Sequence, residues 1–228
     1  MLLSVLLLAA PGAASAGQYL LPTPTDVPAA EKAVVAAPAP VQLLFQFKTK
    51  GAPNPQATKY LTKAVTDNVK ATGIFSEVAT GPVAGGAILS VTIENIPQEG
   101  AAGKGFATGL TFGLAGTTVI DYYVCTFEYI PAPGAPKVTK EVKHQIISTI
   151  GLTKAPENTI KTKGFEDAIM TVTRHVVANG LNDIAKDPGF MVAAAPAAQP
   201  AAAPAETAPA EPAPAAAPQA TPVAAPGG

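Results

Sequence analysis

The sequence predicts an α+β fold, a two-layer sandwich in which a mainly antiparallel sheet of four to five strands carries two helices on one face. Three observations predict it. Val41 to Thr49, Ala87 to Ile96, about Thr117 to Ile130 and about Lys137 to Ile150 read as strands separated by Pro- and Gly-bearing turns. Gln56 to Thr72 and the stretch from Gly164 to just before Pro188 have helical period. The order strand, helix, short strand, three strands, helix groups the strands together instead of alternating them with helices, which is the α+β pattern.

Each element has a local reason. In Val41 to Thr49, Val41, Leu43, Phe45 and Phe47 alternate with Gln42, Gln46 and Lys48, and Leu44 interrupts the polar side. Ala57, Leu61, Ala64, Val65 and Val69 fall on one side of the first helix, and Gly73 is its natural stop. Ile74 to Val78 reads as a short extended piece returning to the sheet edge. Leu89, Val91 and Ile93 alternate with Ser90, Thr92 and Glu94 until Pro97 closes that strand. Thr117 to Ile130 is apolar on both faces: Val119, Tyr123, Cys125, Phe127 and Tyr129 oppose Ile120, Tyr122 and Val124. A strand of this kind is central and covered twice, or covered once and used for contact. Pro131 to Pro136 is a turn, so the next strand returns antiparallel. Its Lys140, Glu141, Lys143 and His144 place its first half near solvent. The second helix has the stripe Phe165, Ala168, Ile169, Val172, Val176 and Ile184, with Thr162 as the expected N-cap. Glu166 and Asp167 in its first turn suit the positive end of the helix dipole.

The ends have another character. Leu2 to Ala10 is an apolar run of signal-peptide length, and Ala14-Ser15-Ala16 is a small-residue cleavage site, so 1–16 reads as an export signal. It has no Lys or Arg ahead of the apolar run, and it is too short to span a membrane. Residues 17–40 hold prolines at 22, 24, 28, 38 and 40 and read as a Pro/Ala-rich linker. The globular domain is expected over 41–190. Residues 191–228 are almost wholly Ala and Pro, which lack the apolar bulk to offset ordering entropy, and read as a disordered spacer tail.

Composition excludes several classes. The net charge of −1 gives no basic field for nucleic acid. The single Cys125 forms no intramolecular disulfide, and between Val124 and Thr126 it is expected to be buried. His144 and His175 have no nucleophile motif beside them, and His175, next to Arg174, is expected to be partly exposed. Gly103-Lys104-Gly105 lacks the spacing of a phosphate loop. Too few His, Cys and clustered carboxylates are present for a metal site, so no metal and no cofactor is expected. An enzyme with a pocket near Asp121, Tyr123 and His144 is the weakest of the readings.

The most unusual stretch is Gly105 to Ile120, which carries no charge over 16 residues. It is either a buried arm crossing the sheet or a contact surface, in which case Phe106, Leu110, Phe112, Leu114 and Tyr122 are the contact residues. Phe106 to Val124, FATGLTFGLAGTTVIDYYV, resembles a pattern in small exported bacterial envelope proteins, many of them lipoprotein-like periplasmic α+β modules. In those, an apolar G-L-T-L-G-L loop precedes a D-x-Y-x-V strand. Ile74 to Val78 after its helix is similar to the same group, and the likeness covers about 41–150. The chain lacks that group's lipidation cysteine. The resemblance implies envelope location and binding-module character.

The expectation is therefore a non-enzymatic module of the periplasm or cell envelope, periplasmic or secreted. Its partner would be an envelope protein or an apolar ligand, with peripheral outer-membrane association. The alternative is a subunit of an oligomeric membrane-associated or pore-forming envelope assembly that uses the apolar 105–120 loop.

Overall fold

The computed structural model describes residues 17–98, 117–151 and 153–190. The expected signal at 1–16, the tail at 191–228 and four contact residues, Phe106, Leu110, Phe112 and Leu114, lie outside the described residues. The strands are β1 (Gly17–Leu20), β2 (Val41–Thr49), β3 (Ala52–Pro53), β4 (Val78–Ala79), β5 (Ile88–Pro97), β6 (Thr117–Ile130), β7 (Val138–Ile150) and β8 (Ile160–Lys161). The α-helices are α1 (Pro55–Ala71) and α2 (Phe165–Ala185), and residues 188–190 are again helical.

The α+β class holds, but the sheet is larger than four to five strands. Eight strands pair among the described residues in the order β3-β2-β5-β6-β7-β1-β8, with β4 also against β2. The extra members are mostly two-residue strands whose pairing is set by tertiary neighbours, not by any period of their own. The sheet is mixed: β2 runs parallel to both β5 and β4, and the other pairs are antiparallel. A parallel neighbour needs a crossover, and α1 lies in the chain between β2 and β5. The expected centre is correct: β6 lies between β5 and β7.

The linker expectation for 17–40 fails at its start. Gly17–Leu20 is a strand held between β7 and β8, and Leu20 and Tyr19 are buried. From Leu21 to Ala33 the chain then crosses α2 as a strap. Asn179 Nδ2 donates to the Thr25 carbonyl at 2.7 Å, and the Ala33 N–H donates to Asn182 Oδ1 at 2.7 Å. Val27 is buried beneath it.

Both helices pack on one side of the sheet, α2 over β6, β7 and β1 and α1 over β2, and they touch each other. The register stacks the core in rows across β2, β5, β6 and β7. One row is Leu43, Leu89, Tyr129 and Val138; the next is Phe45, Val91, Phe127 and Lys140. Then come Phe47, Ile93, Cys125 and Val142, and last Thr49, Asn95, Tyr123 and His144. Cys125 is fully buried, as its neighbours implied. Leu61, Val65 and Val69 of α1 and Ile169, Val172, Val176, Leu181 and Ile184 of α2 close the core from above.

The helix ends differ from the sequence reading at the start of α2. Asn54 caps α1, its Oδ1 accepting from the Ala57 N–H at 3.0 Å. Gly73 follows that helix with φ of 71°. The N-cap of α2 is Gly164, without a side-chain bond; the Thr162 hydroxyl instead faces the Gln18 and Gly164 carbonyls. Phe165, placed on the stripe, is exposed. Asn54→Ala is expected to cost about 1 kcal/mol, the ordinary worth of a side-chain cap. The check is a lower urea midpoint with an unchanged slope.

Candidate functional site

The side of the sheet away from the helices is polar along most of its width. Glu94, Val124 and Lys143 form one row, Thr92, Thr126 and Glu141 the next, and Ser90, Glu128 and Thr139 the one after. At the other end of the strands its character changes. Tyr122 stands between Ile96 on β5 and Gln145 on β7, and Tyr122 and Ile96 are 40% and 42% exposed. One step along, Ile120 pairs with Ile147, which pairs with Tyr19 of β1. Ile147 and Tyr19 are buried. The result is an apolar strip across four strands, open to solvent at the Ile96–Tyr122 end. The chain leaves the described structure after Gln98 and re-enters at Thr117, and the Gln98 N–H bonds to the Ile120 carbonyl at 2.9 Å beside this strip.

Of the five contact residues expected from sequence, Tyr122 is therefore on the helix-free face and exposed. Ile96 is its partner there, and sequence reading missed it. Its signal was present: Ile96 is apolar on a phase of β5 where Ser90, Thr92 and Glu94 precede it. Leu44 is exposed on the same face, but it stands beside Ser90, apart from the strip.

The opposite side of the sheet holds the other cluster of polar chemistry. His144 and His175 were expected near solvent, and both are buried. His144 faces the helices because it shares the phase of Ile146 on β7, and α2 lies directly over it. The two rings stack with centroids 5.6 Å apart and planes 11° apart, and His144 Nε2 is 3.3 Å from His175 Nδ1. His144 Nδ1 accepts from the Gln145 N–H at 2.9 Å. On the outer side, Arg174 Nε contacts Asp26 Oδ1 at 2.9 Å, and His175 Nε2 is 3.9 Å from the same oxygen. Burial, then the facing His175, push His144 down to about 4. Burial also lowers His175, with the Asp26 carboxylate opposing it. Both rings are thus neutral at pH 7.

Nucleophilic chemistry finds no support in these groups. Burial raises the Cys125 thiol well above its ordinary value, so it is protonated at pH 7. Burial, then the Asp121 carboxylate, raise the Tyr123 phenol. Tyr123 does stand opposite His144, and Asp121 lies two residues along on the same phase, where Asn95 Nδ2 donates to Asp121 Oδ1 at 3.3 Å. Among the described residues no group of three or more His, Cys, Asp or Glu side chains is arranged to hold a metal ion. No described helix is long and apolar enough to cross a membrane. A cavity of about 200 Å³ lies between the strap, α1 and α2, with Asp26, Lys32, Asn68, Thr72, Arg174 and Asn182 among its walls.

No family model matches this sequence, and no curated protein is similar to it. Among solved structures, the PelC dodecamer from Paraburkholderia phytofirmans is similar at 15% identity and a TM-score of 0.33, over 74% of this chain and 96% of that one. A point variant of the same dodecamer gives 15% identity, a TM-score of 0.34 and coverage of 74% and 95%. A neuraminyllactose-binding hemagglutinin homolog from Helicobacter pylori gives 12% identity, a TM-score of 0.35 and coverage of 72% and 92%. Likeness at this level carries no argument about activity or assembly.

Proposed function

We propose that the chain is a non-enzymatic binding module of the bacterial cell envelope, periplasmic or secreted. It would hold a partner protein or an apolar ligand on the helix-free face of its sheet. The observation that carries this reading is the Ile96–Tyr122 pair: two large apolar side chains, adjacent on neighbouring strands, exposed on a face whose middle rows are largely polar. Aromatic residues at such positions are the usual anchors of an interface. The export-type N-terminal sequence supports the location, and the Ala/Pro-rich 191–228 segment suits a spacer through the envelope. A second reading, a subunit of an oligomeric membrane-associated assembly, draws on the uncharged 105–120 stretch, whose last residues, Thr117 to Ile120, run into the same strip.

Tyr122→Lys is expected to weaken capture of the envelope partner by about tenfold or more, the effect of losing one anchor worth over 1 kcal/mol. Leu44→Lys, on the same face but off the strip, is expected to leave capture unchanged. The check is a pull-down from an envelope extract with both variants, beside light scattering of the detergent-solubilised wild type. Equal loss in both variants would remove the strip from the account. A wild-type ring-sized oligomer that Tyr122→Lys breaks into monomers would favour the second reading.

A further inference from the structure

We propose that the stacked His144–His175 pair is an acid-sensitive latch that holds the 21–33 strap against α2. The geometry makes the pair stable in one protonation arrangement. The Gln145 N–H occupies Nδ1 of His144, so the neutral ring carries its proton on Nε2. That proton lies between Nε2 and His175 Nδ1, where the Pro24 carbonyl of the strap is a further acceptor for both rings. A second proton on His144 would sit on Nδ1, pointing at the Gln145 N–H. A second proton on His175 sets Nδ1–H against Nε2–H of His144 across 3.3 Å. Charging the pair therefore turns hydrogen bonds into opposed donors, in a place where both rings are buried.

The strap is the part of the structure able to yield. It is pinned to α2 by contacts within two turns of His175: Asp26 to Arg174, Thr25 to Asn179 and Ala33 to Asn182. Asn179 also donates to the His175 carbonyl at 2.8 Å, tying that turn to the same cluster. The β-sheet floor under His144 is held by the β6 ladder, and β1 joins the other side of β7 from Ile146 onward. Lifting the strap would hydrate both rings, and it would also open the cavity whose walls include Asp26, Val27, Lys32 and Ala33.

The charged groups around the pair set the balance. From the strap, Asp26 favours an imidazolium on His175, with Lys32 farther along the cavity wall. From α2, Arg174 opposes it, with its guanidinium 3.4 Å from His175 Nε2. From β6, Tyr123 stands opposite His144 with Asp121 beyond it. On β7 itself, Lys143 belongs to the other face and pairs with Glu141. From β1, Leu20 pairs beside Ile146 and adds no charge.

The test is hydrogen–deuterium exchange of the full chain at about pH 7.5 and about pH 5, on either side of the ordinary histidine value, corrected for intrinsic rates. Exchange in peptides covering 21–35 is expected to rise about tenfold at the lower pH, while those of β5 and β6 keep their protection. In the His144→Gln, His175→Gln double variant, whose amides do not titrate, the strap should exchange at one rate at both pH values. Each single glutamine variant, which keeps one lowered histidine, should show a smaller acid response than the wild type and serves should the double variant not fold. Asp26→Asn, a substitution at an exposed residue, should loosen the strap at both pH values and retain the acid response. An acid response undiminished in the glutamine variants would overturn the proposal. So would a wild-type strap indifferent to pH, or core peptides that open in step with it.

Discussion

Gly180→Ala is expected to destabilise the protein by about 2 kcal/mol, the scale of an overpacked core. The sign is the opposite of what the helix alone would give. Alanine in place of glycine in a helix interior is worth up to about 1 kcal/mol in favour. Here the added Cβ would lie 2.1 Å from Cε2 of Phe127 and 2.4 Å from its Cδ2. Phe127 has no exposed surface and stands in the row between Val91 and Lys140, so its ring cannot swing aside without disturbing β5 or β7. The readout is thermal unfolding, with Tm lower by roughly 4–8 °C for a domain of this size. A smaller side chain at the contact should relieve the clash. The Phe127→Leu, Gly180→Ala double variant is therefore expected to be more stable than the sum of the single losses, with a coupling of about 1 kcal/mol or more. Strict additivity would mean that α2 and β6 do not meet at this point.

Stability should also fall on mild acidification. The direction follows from the depressed histidines. His144 titrates at about 4 in the folded protein and near its ordinary value of about 6.5 when unfolded. Between those values the unfolded chain binds a proton that the folded one does not, so the stability present above about pH 6.5 is lost as pH falls toward about 4. The span is worth up to about 3 kcal/mol for this buried ring, and His175, lowered as well, adds in the same direction. Guanidinium midpoints from about pH 7.5 to 4.5 measure it, and His144→Gln should flatten the slope. Asp187 belongs to a lower window. Lys140 and the Gly189 N–H hold its carboxyl below the ordinary value, so its contribution persists through mild acid and disappears below the usual carboxylate range.

The parts of this fold legible in the sequence are those with a period long enough to read. Val41 to Thr49 alternates over nine residues, and it is β2. The stripe through Leu61, Val65 and Val69 marks α1, and the two-sided apolar pattern of Thr117 to Ile130 marks the middle of the sheet. What escaped has a different cause in each case. Gly17–Leu20 is four residues beside a proline run, and its strand identity exists only through β7 and β8. The two-residue strands β3, β4 and β8 carry no periodicity at all. His144 sits among Lys140, Glu141 and Lys143, so composition suggested solvent, yet the alternation of β7 puts it in phase with Ile146, under α2. His175 is one residue from the half-exposed Arg174, and a helix turns those neighbours about 100° apart. At the candidate contact face, Tyr122 was visible because β6 is apolar on both phases. Ile96 was hidden behind the polar run Ser90, Thr92 and Glu94 on its phase.

The position of β1 bears on how the chain must be made. Its hydrogen-bonding neighbours lie far along the sequence; the Thr149 hydroxyl that reaches the Gly17 carbonyl is 132 residues away. The first described residues to leave a ribosome thus have no home until almost the whole domain has followed. The β5-β6-β7 meander can close early by local pairing, whereas β1 must slot between β7 and β8 late. In that interval the long flank of β7 is an open berth, and the same four residues from a neighbouring molecule would fit it as well as its own. High concentration during production is therefore expected to favour trading of this arm between neighbouring molecules, and an arm-exchanged pair is the misassembly that size-exclusion chromatography should detect.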